Sequence, residues 1–393
     1  MENFRFENQT KILFGKRTQE QAGAYVKMFS DRVLILYGSG RIKKTGLFQE
    51  ITDSLSREGV SYIEFGGITA NPRLSDVEKV IRLCRENGIH FILAVGGGSV
   101  IDAAKAAALG AECSGNLWDY FEKKLKAAKV SIKIGVVLTI PGSGSESSGS
   151  TVITNDQVKP YEKLDFTSNE LRPCFAILNP ELTMSLTWEQ TACGGVDMLA
   201  HVMERYFTKV ENVELTDRMC EAAMITIIHN LRKLKEDLTD YEARAEIMWA
   251  GTIAHNNMLS TGRRSDWASH MIEHEISAVY DIAHGDGLAM VFPSWMQYVY
   301  RGHLEIFAKY AMRVWGISSE GKTRQQTAEE GIRAAVQFYK ELGKETDLGR
   351  LHITESELAD MARRITKHGP VGDLEVLEEA DVLEILRTAC SAR

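Results

Sequence analysis

The sequence predicts a two-part chain, an α/β domain on a mostly parallel sheet (Rossmann-like) followed by an all-α domain. Up to about residue 180, short apolar runs alternate with helical patterns, the signature of βαβ units. Beyond Asn179-Pro180 helical patterns continue without a convincing strand. The length agrees, because 393 residues exceed one ordinary core. The expected domains are 1–179 and 180–393.

Taken in order, Phe4 and Phe6 alternate with polar neighbours, and Ile12-Leu13-Phe14 follows a short polar turn, which suggests a pair of antiparallel edge strands. The sheet strands are expected at 33–37, 61–65, 91–95, 135–139 and 175–178. Several are nearly continuous in apolar residues, as parallel strands covered on both faces require. Between them, Val77, Val80, Ile81 and Cys84 recur at helical spacing over Leu74 to Asn87, and Asn87-Gly88 ends that helix. In the second part, helices are expected over Glu214 to Lys235 and Tyr241 to Leu259. The low-complexity stretch runs from Gly142 to Ser150.

A composition of 44% hydrophobic and 25% charged residues is globular, and a net charge of −8 argues against nucleic acid or an anionic membrane as main partner. Met1 to Glu7 has neither a basic start nor an apolar run, so no signal peptide is expected. Nowhere do 18 apolar residues follow one another, which argues against a spanning helix. The six cysteines are scattered without a Cys-x-x-Cys pair, which suits reduced thiols in a cytoplasmic protein.

Val95-Gly96-Gly97-Gly98-Ser99-Val100-Ile101-Asp102 falls where a strand ends and an alanine-rich helix begins. Glycines there let a phosphate reach backbone N–H groups, and the helix adds its positive end. The same residues also suit a tight strand–helix turn. Two further turns, Gly38-Ser39-Gly40 and Thr139 to Glu146, follow other strands. Ligands of open α/β sheets lie beyond the carboxyl ends of strands, so three such turns together favour a dinucleotide. The pattern is not Gly-x-Gly-x-x-Gly, so the ordinary dinucleotide fingerprint does not apply.

Asp197 and His201 stand at i and i+4 on one helix face, as do His270 and His274, and His284 follows ten residues later. One carboxylate and several imidazoles suit a borderline divalent ion such as Fe²⁺ or Zn²⁺. Spacing leaves open whether the clusters meet. A hydrogen-bonded Asp–His pair is the plain alternative.

The chain resembles the iron-containing (group III) alcohol dehydrogenases, in their butanol-dehydrogenase-like branch. The likeness runs nearly end to end, through Glu2-Asn3-Phe4, Gly38-Ser39-Gly40, Asn71-Pro72, Gly96 to Asp102, Gly142 to Glu146, Asn179-Pro180-Glu181, Asp197 to His201 and Asp266 to Gly285. It implies a dehydroquinate-synthase-like fold with an N-terminal nucleotide-binding domain, a helical metal-binding domain and an active site in the cleft between them. It further implies Asp197, His201, His270 and His284 as metal ligands, with His274 as a non-ligand histidine of the active site. Gly97, Gly98, Ser99 and Asp102 match the pyrophosphate segment, with Asn71 beside it. Thr139, Ser143 and Lys163 fall where the family contacts the nicotinamide side and riboses. Ser143 and Ser145 depart from the family's common Thr, but the hydroxyl remains.

The expected reaction is hydride transfer between NAD(P)(H) and a small primary alcohol or aldehyde such as butanol or butanal. The metal is the expected Lewis acid and His274 the expected proton carrier. The turn Gly38-Ser39-Gly40-Arg41-Ile42-Lys43-Lys44 carries no acid, which favours NADP(H) over NAD(H). Exposed N-terminal strands and the resemblance together suggest a homodimer. The alternatives are a glycerol dehydrogenase or dehydroquinate-synthase-like lyase of the same superfamily, or a non-catalytic nucleotide- and metal-binding protein.

Overall fold

The computed structural model describes residues 1–125 and 130–390. Its strands are β1 (Lys11–Phe14), β2 (Arg32–Tyr37), β3 (Ser61–Phe65), β4 (Phe91–Gly96), β5 (Lys133–Leu138), β6 (Ser150–Asn155), β7 (Glu162–Thr167) and β8 (Phe175–Leu178). The helices interleaved with them are α1 (Ala22–Lys27), α2 (Arg41–Lys44), α3 (Leu47–Arg57), α4 (Leu74–Asn87), α5 (Gly98–Glu112) and α6 (Trp118–Phe121). The later helices are α7 (Trp188–Tyr206), α8 (Glu214–Glu236), α9 (Tyr241–His255), α10 (Ala268–Tyr280), α11 (His284–Val299), α12 (Leu304–Val314), α13 (Arg324–Glu341), α14 (Glu355–Ile365) and α15 (Glu379–Cys390).

Six strands form one parallel sheet in the order β1-β8-β5-β4-β2-β3. All of β4 is buried, as its unbroken apolar run predicts. Successive side chains point to opposite faces. Leu34, Leu36, Ile92, Ala94 and Val136 therefore join Val77 and Val80 of α4 in one core layer. Val33, Ile35, Leu93, Val95 and Val137 join Ile51 and Leu55 of α3 in the other. Each fully buried aliphatic side chain of this kind stabilises the fold by about 1.5–3 kcal/mol. Gly88 ends α4 in the left-handed conformation at φ +60°, as Asn87-Gly88 predicts.

The chain leaves β2 for β3 on one side and then crosses to β4 on the other, so the direction in which strands are added reverses between β2 and β4 while the strands stay parallel. The carboxyl ends of the adjacent strands β5, β4 and β2 lie along one edge, with Gly96 opposite Leu138 and Tyr37 opposite Val95. The three glycine turns are thus neighbours at the switch point, where open α/β sheets take their ligands.

Two expectations need correction. Phe4 and Phe6 belong to no strand, and β1 pairs in parallel with β8 rather than in an antiparallel edge pair. A three-residue alternation could not hold the first residues in a sheet. Instead, the Met1 amine donates to Glu211 O and the Glu2 N–H to Gly262 O. The antiparallel pair is elsewhere, between β6 and β7. It was not anticipated, because its residues sit beside a serine-rich stretch and among turn formers.

Contacts group the chain into two compact units. A sheet unit holds Glu7–Leu186 and Leu238–Asn256, and a helical unit holds Met1–Phe6, Thr187–Asp237 and Asn257–Arg393. Helix α9 joins the sheet unit although it is late in the sequence. Thr252 of α9 donates to buried Glu146 at 2.6 Å, and Trp249 packs edge-on against Phe14. In the helical unit, α7 begins with a capping box between Thr187 and Gln190, and α13 and α14 begin with the same device. Among the described residues no helix is long and apolar enough to cross a membrane. The six cysteines are free.

Candidate metal centre and nucleotide cradle

The helical unit brings Asp197, His201 and His270 together. Each offers a ligand atom, all within 4.8 Å of one another, and all three residues are buried. Asp197 and His201 share the inner face of α7, with His201 Nδ1 3.1 Å from Asp197 Oδ1. His270 enters from α10, its ring centroid 4.7 Å from that of His201. His284 opens α11 and places Nε2 3.7 Å from Asp197 Oδ1. His274, one turn beyond His270, lies 5.6 Å from His284 between ring centroids and groups with Glu273 and His284.

Electrostatics gives Asp197 and His270 the protonation states that a cation needs. Burial alone would raise the Asp197 carboxyl, but His201, then His284 and His270, hold it well below the usual carboxylate range. Burial, reinforced by His201 and His284, pushes His270 well below the ordinary imidazole value, so it is a neutral donor. His270 Nε2 and Asp197 Oδ1 are buried and accept no hydrogen bond. A buried lone pair without a donor costs about 1–3 kcal/mol, and a divalent cation removes that cost. The donor set of one carboxylate and three imidazoles therefore fits such an ion.

Sequence spacing missed the carboxylates behind these imidazoles. Glu204, fully buried one turn beyond His201, accepts from Trp267 N at 2.7 Å and from His270 N at 3.2 Å. Its Oε1 also lies 3.0 Å from His270 Nδ1. Burial pushes this carboxyl up to about 7, against the pull of those amides. Glu273 is in hydrogen-bond contact with His284 Nδ1. The signal available in the sequence was position: Glu204 follows Asp197 by seven residues, on the same helix face as His201.

The sheet unit brings the nucleotide candidates to its carboxyl edge. Helix α5 starts at Gly98 with no side-chain cap, which leaves its first amides for an anion. A Cβ on Gly97 would lie 2.9 Å from Ile140 Cβ, and one on Gly98 2.9 Å from Ser143 Cβ. The glycines therefore let the Thr139–Ser143 turn close onto the start of α5. Thr139 N donates to Gly96 O at 3.0 Å. In the first turn, Gly67 N donates to Gly38 O at 2.8 Å, and Ser39 Oγ lies 3.5 Å from Arg41 N. Gly40 precedes α2.

Two candidates sit further in. Asp102 is buried, accepts from Ser145 Oγ at 2.5 Å and Val152 N at 3.1 Å, and so anchors the serine-rich segment. Lys105, which the sequence reading passed over, donates to Ser145 O, Ser145 Oγ and Ser150 O, each at 2.7 Å. Lys163 of β7 donates to Asn71 Oδ1 at 3.0 Å, and both are buried. The three cations after the Gly38 turn differ in their surroundings. Lys43 pairs with Glu64 at 2.8 Å, Arg41 donates to Ser185 O, and Lys44 is exposed.

Comparison with known proteins places the chain. Residues 9–180 match the model described as iron-containing alcohol dehydrogenase, and residues 191–390 match the C-terminal model of the Fe-containing alcohol dehydrogenase family. The chain is 45% identical over 392 residues to the probable NADH-dependent butanol dehydrogenase 2 of Bacillus subtilis, covering 99% of this chain and 100% of that protein. It is 36% identical over 372 residues to the NADPH-dependent aldehyde reductase YqhD of Escherichia coli, covering 94% of each. The crystal structure of NADH-dependent butanol dehydrogenase A from Thermotoga maritima superposes with a TM-score of 0.94 at 39% identity, covering 99% of both chains.

Proposed function

The chain belongs to the iron-containing alcohol dehydrogenase family, and from that premise we propose that Asp197, His201, His270 and His284 hold one divalent ion, Fe²⁺ or Zn²⁺. The protein is a metal-dependent alcohol dehydrogenase, or aldehyde reductase in the reverse direction, that uses a nicotinamide cofactor. One observation carries the ligand reading. His270 turns Nδ1 to Glu204 and leaves Nε2 buried with no hydrogen-bond partner, beside Asp197 and His201.

When bound, the ion supplies Lewis-acid polarisation of the substrate oxygen, and the nicotinamide supplies the hydride chemistry. The protein residues do the rest. Asp197 would bring negative charge to the cation, and the imidazoles would offer it nitrogen lone pairs. The amides of Gly97, Gly98 and Ser99, at the open start of α5, would donate hydrogen bonds to the pyrophosphate beside the positive end of the helix. Asp102 holds the Ser143–Ser145 turn in place beside them. Thr139, Ser143, Asn71 and Lys163 offer hydroxyl, amide and ammonium groups to the nicotinamide and its ribose. His274 takes up or delivers the hydroxyl proton at an imidazole nitrogen. These groups favour reaction by fixing the donor and acceptor carbons and excluding water.

The substrate class is a small primary alcohol or aldehyde of the butanol and butanal kind, motivated by the names of the relatives. The sequence favoured NADP(H) through Ser39, Arg41, Lys43 and Lys44, but Glu64 neutralises Lys43 and Arg41 is turned to Ser185. That leaves Lys44 for a 2′-phosphate, so we propose that the Gly38–Gly40 turn takes both cofactors, with NADH at least as good as NADPH. A homodimer in the cytoplasm completes the reading.

An alcohol and aldehyde panel assayed with NADH and NADPH, after reconstitution with Fe²⁺ or Zn²⁺, tests it. Activity that returns with the metal and covers short primary substrates is expected. Full activity in chelator-stripped protein would overturn the metal assignment, and a strong NADPH preference would overturn the cofactor assignment.

A further inference from the structure

Two buried carboxylates, neither a proposed ligand, stand behind the imidazoles in a chain of support. Glu204 of α7 holds His270 of α10, and Glu273 of α10 holds His284 of α11. Both contacts use Nδ1. In each ring the nitrogen left over is Nε2, and His284 Nε2 is the one 3.7 Å from Asp197 Oδ1.

The backbone is shaped around both carboxylates. Trp267, just before α10, adopts φ +69°, a left-handed conformation costly for an aromatic residue. That turn aims the N–H groups of Trp267 and His270 at the same Glu204 carboxylate. On the other side, a Cβ on Gly287 would lie 2.7 Å from both Cγ and Oε1 of Glu273. Only glycine at the first turn of α11 leaves room for Glu273 between the helices.

We infer that Glu204 and Glu273 are positioning residues, each accepting the Nδ1–H of one imidazole, His270 and His284, and so committing its Nε2 to the cation. The inference rests on the metal reading above. A neutral imidazole has one donor and one acceptor nitrogen, and a metal takes only the acceptor. Without the carboxylate behind it, the His284 ring would divide between two tautomers and two orientations, and its donor strength would fall.

Zinc affinity of the full-length protein, measured by competition with a chromophoric chelator, tests this in the wild type, Glu273→Gln, Glu273→Leu and Glu204→Gln. One Zn²⁺ per chain is expected in each. Glu273→Leu should weaken Zn²⁺ binding by about 10–100-fold, the usual effect of removing such a partner. Glu273→Gln, which keeps an acceptor oxygen but no charge, should fall between Leu and the wild type and serves should the Leu variant not fold. Histidine ¹⁵N NMR of the metal-free chains should show His284 held as the Nδ1–H tautomer in the wild type and mixed in Glu273→Leu. Unchanged Zn²⁺ affinity in both Glu273 variants would overturn the inference while leaving the metal site standing. Two Zn²⁺ per wild-type chain, with one lost in Glu273→Leu, would overturn it too by making Glu273 a ligand. A wild type that binds no divalent ion would sink the metal reading and this inference with it.

Discussion

Lys163 Nζ donates to Asn71 Oδ1 at 3.0 Å, across 92 residues of sequence. The hairpin makes this meeting. Thr154 of β6 donates its N–H to Pro72 O at 2.8 Å and stands opposite Lys163 of β7. The Asn71-Pro72 turn, with Asn71 at φ +51°, is thereby clamped against the strand that carries the lysine. Lys163→Met should remove the charged donor without disturbing the helical unit. Hydrogen bonds to charged groups are worth about 1.5–3 kcal/mol, so loss of the proposed contact from Lys163 to the cofactor should raise its Kd about tenfold or more at unchanged metal content. Fluorescence titration with NADH measures it, and an unaltered Kd would remove Lys163 from the cradle.

The glycine turns yield a paired prediction. A methyl group on Gly98 must push Ser143 away, because its Cβ would sit 2.9 Å from Ser143 Cβ and closer still to Oγ. Overpacking of this kind costs about 1–3 kcal/mol, and here it also shifts the turn that closes on α5. Gly98→Ala should therefore lower the melting temperature and weaken NADH binding together. Gly40→Ala is the control, since nothing lies within 4 Å of its Cβ and its φ is −65°. It should leave stability within about 0.5 kcal/mol of the wild type. Equal behaviour of the two variants in thermal melts would sink the steric account.

The parallel sheet was legible because its strands are short apolar runs and its turns carry glycine. The hairpin was not, because its first strand opens inside a serine-rich run and Glu162-Lys163-Leu164-Asp165-Phe166-Thr167 holds only two apolar residues after a proline turn signal, which suits a loop as well. Spacing placed Asp197 with His201 and His270 with His274 on helix faces, yet gave no reason for His284 to join them. That needed the crossing of α7, α10 and α11, which periodicity does not specify. Glu204 and Glu273 were hidden for a related reason. A buried glutamate looks like a solvated one until its partner is known.

His270 and His274 share one face of α10, and exchanging each for alanine should separate their roles. His270→Ala removes a buried donor between His201 and His284. It should abolish both alcohol oxidation and stoichiometric metal, and full activity with undiminished metal would end the ligand assignment. His274→Ala should keep the metal but lower kcat and alter the pH–rate profile. If that profile is unchanged, His274 carries no proton. Elemental analysis alongside steady-state kinetics resolves both.

Lys105 gives a prediction about stability rather than rate. Burial pushes its ammonium from 10.5 down to about 8, although Asp102 and Glu146 pull it up, with Arg172 a smaller opposing influence. In the window between those values the unfolded chain binds more protons at this position than the folded one does. Stability from this group therefore rises with pH, by up to about 1.4 kcal/mol per pH unit, and the cost of the buried charge is fully present below pH 8. Lys105→Met loses the hydrogen bonds to Ser145 and Ser150 and also removes the titrating group. Urea midpoints for both proteins at intervals from about pH 7.5 to 10 should accordingly diverge. The wild type should gain on the variant as pH climbs past 8. Parallel curves across that range would mean that Lys105 keeps its ordinary affinity for the proton and that the serine-rich segment is not held over a desolvated charge.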